Sequence, residues 1–154
     1  ALVDMLAALP PDYPQRADLL TVLQQAAAGL AAAQDAGSGL WTQVLNAPAL
    51  ADNWLESSGS AMVAYALQRG VDQGLLDGHY AAVAARGWQG LLAQGLLSRG
   101  VDGLAVVSGA VEGTGVQVDA AAYLARQRLQ NSPHGLAGLM LAATAMAAQP
   151  PDQA

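Results

Sequence analysis

Apolar residues recur along most of the chain at the three- and four-residue spacing of an α-helix, and short Gly- or Pro-rich breaks separate the helical stretches. The opening segment places Leu2, Met5, Leu6 and Leu9 on one face. It stops at Pro10-Pro11, because proline donates no amide hydrogen and restricts the residue before it. A second helix is predicted from about Pro14 to Asp35, with Leu20, Leu23, Ala27, Leu30 and Ala31 inward and Arg16, Gln24 and Gln25 toward water. Gly37-Ser38-Gly39 breaks it. Leu40 to Gln43 then reads as a short extended piece, followed by a polar loop around Asn46-Ala47-Pro48. The third helix carries the clearest start signal: Asn53 as N-cap with Glu56 three residues on forms a reciprocal cap worth about 1 kcal/mol. Its small residues Ser57, Ser60, Ala61 and Ala64 let another helix or a ligand approach the backbone.

A fourth helix is predicted from about Gly78 to Leu97, capped by Asp77. Gly87, Gly90 and Gly95 each weaken it by about 1 kcal/mol relative to alanine, so packing must compensate. Gly100-Val101-Asp102-Gly103 turns into a second extended piece, Leu104 to Ser108, and then a Gly-rich loop from Gly109 to Gly115. Asp119 to Leu129 reads as short helix or loop. Ser132-Pro133 supplies an N-cap and first-turn proline for the last helix, which should end before Pro150 and leave PPDQA as a frayed tail. One echo organises these pieces. Residues 34–41 and 97–104 both pass from a helix end through a turn to Gly-Leu and an extended piece, which makes the repeating unit a helical hairpin with its excursions on one rim.

Composition narrows the class. The 154 residues are 53% hydrophobic and only 12% charged, enough for a substantial core and unlike a disordered chain. A net charge of −6, with six arginines as the only basic residues, offers no stripe for phosphates and disfavours anionic membranes; neither nucleic acid nor membrane is an expected partner. No apolar run reaches the ~18–20 residues of a membrane span. Without cysteine there is no disulfide or thiolate metal site, and the compartment stays open, with the cytoplasm favoured. The helical pattern already under way at Ala1, without a cap, suggests one partial domain, residues 1–154, of a larger fold.

Chemistry-bearing motifs are sparse. No zinc spacing, nucleophile elbow or Walker loop is present. Gly113-Thr114-Gly115 resembles a phosphate loop only loosely, with no lysine to support it. His79 and His134 stand near helix starts, where a capping or partly exposed histidine is the plain reading. Trp88 falls inside a helical pattern and reads as core. Trp41, after Gly-Leu in a turn, offers a flat face for a pyranose ring; the alternative is that it plugs the interface of a helix pair. Glu56 is first a cap, and a capped carboxylate on a rim can also meet a sugar hydroxyl.

GLWTQVLN followed by NWLESSGSAMVAYAL resembles the GLWYQVLD and LE-(A/T)-SASAMFAYAL segments of the unsaturated rhamnogalacturonyl hydrolases, glycoside hydrolase family 105, related to the unsaturated glucuronyl hydrolases of family 88. ALVDMLAALP resembles the helix after that family's W-x-RGNGW segment, DGLAVVSGAVEGTGV its later turn and Thr-Gly loop, and NSPHGLAGLMLAATAMA its closing ND-P-(H/K)-G helix. The resemblance is collinear over nearly the whole chain. It implies an all-α fold, helical hairpins forming the C-terminal part of an (α/α)6 barrel. It also implies a reaction: an Asp protonates the 4,5 double bond of an unsaturated uronyl residue, water adds at C5, and the hemiketal opens to release the neighbouring sugar, with no metal or organic cofactor. The catalytic Asp of the family lies before the matched region, so these residues alone are expected to be inactive and to need the N-terminal half-barrel or self-association. Trp41, Gln43, Glu56, Thr114 and His134 are the expected contacts to an unsaturated uronyl oligosaccharide from pectin. Thr42 stands where the family has an aromatic, Asn46 where it has Asp, and Ser132 where it has Asp. A non-catalytic remnant, a carbohydrate-binding helical module, or a fragment of an unsaturated glucuronyl hydrolase are the alternatives.

Overall fold

In the computed structural model, which describes residues 1–148, helices α1 (Leu2–Ala8), α2 (Arg16–Ala32), α3 (Ser57–Asp72), α4 (Tyr80–Ala93), α5 (Ala120–Leu124) and α6 (Pro133–Ala147) account for half of the described backbone. The expected all-α character holds, and the PPDQA tail lies outside the described residues. Two short antiparallel ladders interrupt the helices: β1 (Leu97–Arg99) with β2 (Ala105–Val107), and β3 (Ala110–Val111) with β4 (Arg128–Leu129). Leu97 stands opposite Val107 in the first, and Val111 opposite Arg128 in the second.

Helix α3 is the hub, packed against both α4 and α6. Its buried face, Ser57, Ser60, Ala61, Ala64 and Leu67, is the small-residue face seen in the sequence. Small residues on both sides bring α6 close: a Cβ at Gly138 would lie 2.9 Å from Met62 Cγ and 3.1 Å from the Ser58 carbonyl. Two apolar clusters result. One joins Val3 and Leu6 of α1 with Leu23 and Ala27 of α2, Leu67 of α3, Val83 of α4, and Trp41. The other joins Leu40, Ala61, Leu91, Val107, Leu139 and Ala142, with Trp88 packed against it as expected.

The glycines that weaken α4 are explained by what approaches them. A Cβ at Gly87 would sit 2.8 Å from Trp41 Cζ3, and one at Gly90 would collide with the Ser38 carbonyl oxygen. The 38–41 turn lies directly on this helix. Gly95 is needed for its backbone instead, since at φ +68° it takes the left-handed conformation that closes the helix, its amide donating to the Leu92 carbonyl. Helix α4 therefore ends at Ala93, and Leu97, expected as its last residue, begins β1. The echo between the two Gly-Leu turns is only local, since the first follows α2 whereas the second closes the β1–β2 hairpin. Gly39 (φ +75°) and Gly103 (φ +80°) are both left-handed, and the carbonyls of Leu40 and Leu104 accept from Asp35 and Gly100 amides, each at 2.8 Å.

Other expectations change. The first extended piece is no strand, only a bridge between Thr42 and Leu55. That bridge keeps residues just before α3 extended, so helical geometry starts after Glu56, which is itself the N-cap. Asn53 instead staples the preceding loop, accepting from the Val44 amide at 3.1 Å and donating to the Val44 and Ala47 carbonyls at 3.0 and 3.1 Å. Asp77 accepts from the His79 amide at 2.9 Å in the turn ahead of α4, two residues before His79, which is the N-cap. Of residues 119–129 the short helix is realised in part, with Asp119 capping the single-turn α5 through the Ala122 amide, but Arg128–Leu129 form β4, a strand in place of the expected helix or loop. Ser132 caps α6 as expected, accepting from the Gly135 amide at 3.1 Å.

Candidate functional site

The first turn of α3 and strand β3 meet at Glu56. Although only 7% exposed, its carboxylate is fully engaged. Oε1 accepts from the Ser58 amide (3.1 Å), the Ser58 hydroxyl (2.7 Å) and the Val111 amide (2.9 Å), while Oε2 accepts from the Gly59 amide. Two of these donors are otherwise unpaired first-turn amides of α3, so the negative charge meets the positive end of the helix dipole. The Val111 bond couples that helix end to β3, and through β3 to the strand that carries Arg128. Glycine at position 59 leaves room for this arrangement, since a Cβ there would lie 2.8 Å from Oε2 and shift the carboxylate.

Beside this clamp lies a cavity of about 150 Å³ lined by Trp41, Thr42, Gln43, Glu56, Gly59 and Ser60, among others. The structure thus brings Trp41, Gln43 and Glu56 of the expected contacts together. Thr114 and His134 do not line this cavity. Thr114 is exposed, its hydroxyl donating to the Glu112 carbonyl at 2.6 Å, and His134 is exposed in the first turn of α6.

The expectation of an exposed Trp41 is corrected. Its side chain belongs to the core, 2% exposed, with the indole Nε1 donating to the Leu30 carbonyl at 2.7 Å and the ring against Gly87. A large ring that a glycine lets in is cheaper to bury than to solvate, and its one polar atom is paired. The alternative, a plug between helices, is the one realised.

Sequence reasoning passed over the aromatic that does reach the rim. Trp54 is half-buried, its Nε1 donates to the Leu124 carbonyl at 3.3 Å, and the guanidinium of Arg128 lies over its ring at 5.5 Å from the centroid. Gln43 points to the neighbouring carbonyl, its Nε2 donating to Tyr123 at 3.4 Å. The signal was present in the short interval between Asn53 and Glu56, which places Trp54 on an extended segment and leaves its side chain outside the α3 stripe.

Charges away from the rim serve local structure. The Tyr65 hydroxyl donates to Asp4, which holds that carboxyl below the usual range and pushes the Tyr65 phenol up. Asp35 is lowered by the Ser38 hydroxyl and amide, and Asp77 by the His79 amide and ring. Among the described residues, no group of three or more His, Asp or Glu is placed to hold a metal ion, and no helix is long and apolar enough to cross a membrane.

Fold and site together define a class: a protein of packed helical hairpins whose connecting loops build a polar rim around capped helix ends. Residues 1–149 match Glycosyl Hydrolase Family 88, and the chain belongs to that family. Solved relatives superpose closely. A family 105 glycoside hydrolase of C. acetobutylicum ATCC 824 aligns with a TM-score of 0.90 at 28% identity, over 96% of this chain and 42% of that one. A possible member of family 105 from Klebsiella pneumoniae aligns with a TM-score of 0.78 at 31% identity, over 94% of this chain and 36% of that one. The "24.9 kDa protein in picA locus" of Rhizobium radiobacter is 46% identical over 84 residues, 54% of this chain and 35% of that protein. The chain therefore spans well under half the length of these relatives.

Proposed function

We propose that this chain is the C-terminal part of a glycoside hydrolase that removes 4,5-unsaturated uronyl residues from pectin-derived, rhamnogalacturonan oligosaccharides by hydrating the double bond. The observation that carries the reading is the superposition on a family 105 glycoside hydrolase along 96% of the chain, loops included. In this reading further helical hairpins complete an (α/α)6 ring, and the proton donor comes from them rather than from any Asp described above. This chain contributes one sector of the rim. Gln43 presents an amide, Thr114 and His134 present exposed polar groups from the 113–115 loop and the start of α6, and Glu56 ties the start of α3 to Val111, just ahead of that loop. Trp41 acts from beneath by holding the 40–43 segment on α4.

A chimera tests this. Replacing the aligned region of the C. acetobutylicum hydrolase with this chain should give a folded enzyme that bleaches the ultraviolet absorbance of an unsaturated rhamnogalacturonan disaccharide. A folded chimera with no turnover would overturn the reading. The match to family 88 leaves one competitor, an unsaturated glucuronyl hydrolase, in which a different neighbouring sugar is released. Faster turnover of an unsaturated glucuronyl disaccharide by the same chimera would select it.

A further inference from the structure

Of the six arginines, five place the guanidinium on a protein acceptor. Arg16 donates to the Leu6 carbonyl, Arg86 to Gln34 Oε1, Arg99 to the Gly103 carbonyl, and Arg126 to the Gly113 carbonyl with Glu112 beside it at 3.4 Å. Arg69 donates to Gln73 once that amide is oriented to satisfy both groups. Arg128 is the exception. Among the described residues its guanidinium has no hydrogen-bond acceptor and no carboxylate within ion-pair distance; its one contact is the face of Trp54.

Because the contact with the indole uses no hydrogen bond, the N–H donors of the Arg128 guanidinium stay open to a planar anion. The surroundings make that opening selective. The chain carries a net charge of −6, so an acidic saccharide is repelled everywhere except where a cation stands without a partner. Both residues are also held in place. Arg128 is in register with Val111, whose amide is fixed by Glu56, and Trp54 is pinned through Nε1 to Leu124. Gln43 and Trp54 converge on the consecutive carbonyls of Tyr123 and Leu124, which brings an amide to the same segment.

We propose that Trp54 and Arg128 form a subsite for the carboxylate-bearing ring of a uronate, the sugar lying against the indole and its carboxylate meeting the guanidinium edge. The choice of a uronate rests on the hydrolase reading; the opening for a planar carboxylate does not. Trp54, rather than the buried Trp41, is then the aromatic that a sugar touches.

The test uses the 154-residue chain and the three indole N–H signals in its NMR spectrum, assigned by single Trp→Phe variants. The probes are an unsaturated galacturonyl-rhamnose disaccharide, its neutral methyl ester, and D-glucuronate. Both acids should move the Trp54 signal and leave Trp41 still. R128Q should weaken their binding by at least about tenfold, R128K by less, and the ester should bind wild type no better than the acid binds R128Q. Arg128 is exposed, so these variants fold, and circular dichroism checks it. A Trp54 signal unmoved up to about 10 mM acid, or equal affinity in R128Q, overturns the subsite. If the chimera turns over its substrate while R128Q changes neither KM nor the Trp54 shift, the subsite fails and the hydrolase reading stands. An Arg128-dependent shift with D-glucuronate, beside an inactive chimera, would keep the subsite and remove the hydrolase.

Discussion

Glu56 joins segments 55 residues apart, and its charge matters more than its shape. In Glu56→Gln one carboxylate oxygen becomes an NH2 that faces amide and hydroxyl donors, leaving buried groups unpaired. A loss of about 2–4 kcal/mol is expected, against about 1 kcal/mol for an ordinary exposed cap. Urea denaturation measures it; a change under about 0.5 kcal/mol would mean that the clamp is not holding β3 to α3. Asp4 gives a milder, pH-dependent case. Because Tyr65 donates to it, with the N-terminal ammonium and Arg69 acting in the same direction, its folded pKa lies below the unfolded value. The bond therefore stabilises the fold above the ordinary carboxylate range and is lost as pH falls through the depressed folded value. Tyr65→Phe should raise the Asp4 pKa in a carbon-detected carboxyl titration and leave less stability to lose in acid. Among these residues, Glu56 as a cap was legible from its place ahead of an apolar run. Its role as N-cap was not, because the bridge from Thr42 to Leu55 that delays the helix is a long-range contact with no local signature.

Helix α4 shows how packing overrules propensity. Gly87→Ala would gain about 1 kcal/mol of helix propensity, yet its Cβ would meet the buried Trp41 ring at 2.8 Å, and overpacking of that kind costs about 1–3 kcal/mol. The repulsive term should win, lowering the melting temperature, whereas the same change at Gly78, with nothing within 4 Å of a Cβ, should not lower it by this route. Equal melting temperatures for the two variants would count against the seating of Trp41. The sequence made the need for compensation visible and hid its source, since a tryptophan in a distant upstream turn cannot be paired with a glycine by periodicity. Helices α2 and α3 were readable because their apolar spacing is local and repeated over three or more turns, and α6 because Ser132-Pro133 marks its start. Strands β3 and β4 are two residues each and pair across a long loop, too short for any alternation to register.

At the scale of the molecule, α6 sets the remaining expectation. Between Pro133 and Ala147 it has no Asp, Glu, Lys or Arg, and a helix apolar on all sides is normally enclosed on all sides. Here one side is enclosed by α3, while Ala137, Met140, Leu141, Thr144 and Ala147 remain exposed at helical spacing, Met140 at 67%. Solvent on such a stripe is unfavourable by about 25 cal/mol per Å² of apolar area that could be covered. The 154 residues by themselves should therefore bind a hydrophobic dye and associate as concentration rises. Met140→Glu with Leu141→Glu should suppress both without lowering the unfolding free energy by more than about 0.5 kcal/mol, because neither side chain belongs to the buried clusters. Analytical ultracentrifugation with a dye titration separates the outcomes. A monomer that stays dark with dye at all concentrations would show that the stripe needs no cover, which would remove the physical motive for closing these hairpins into a larger ring.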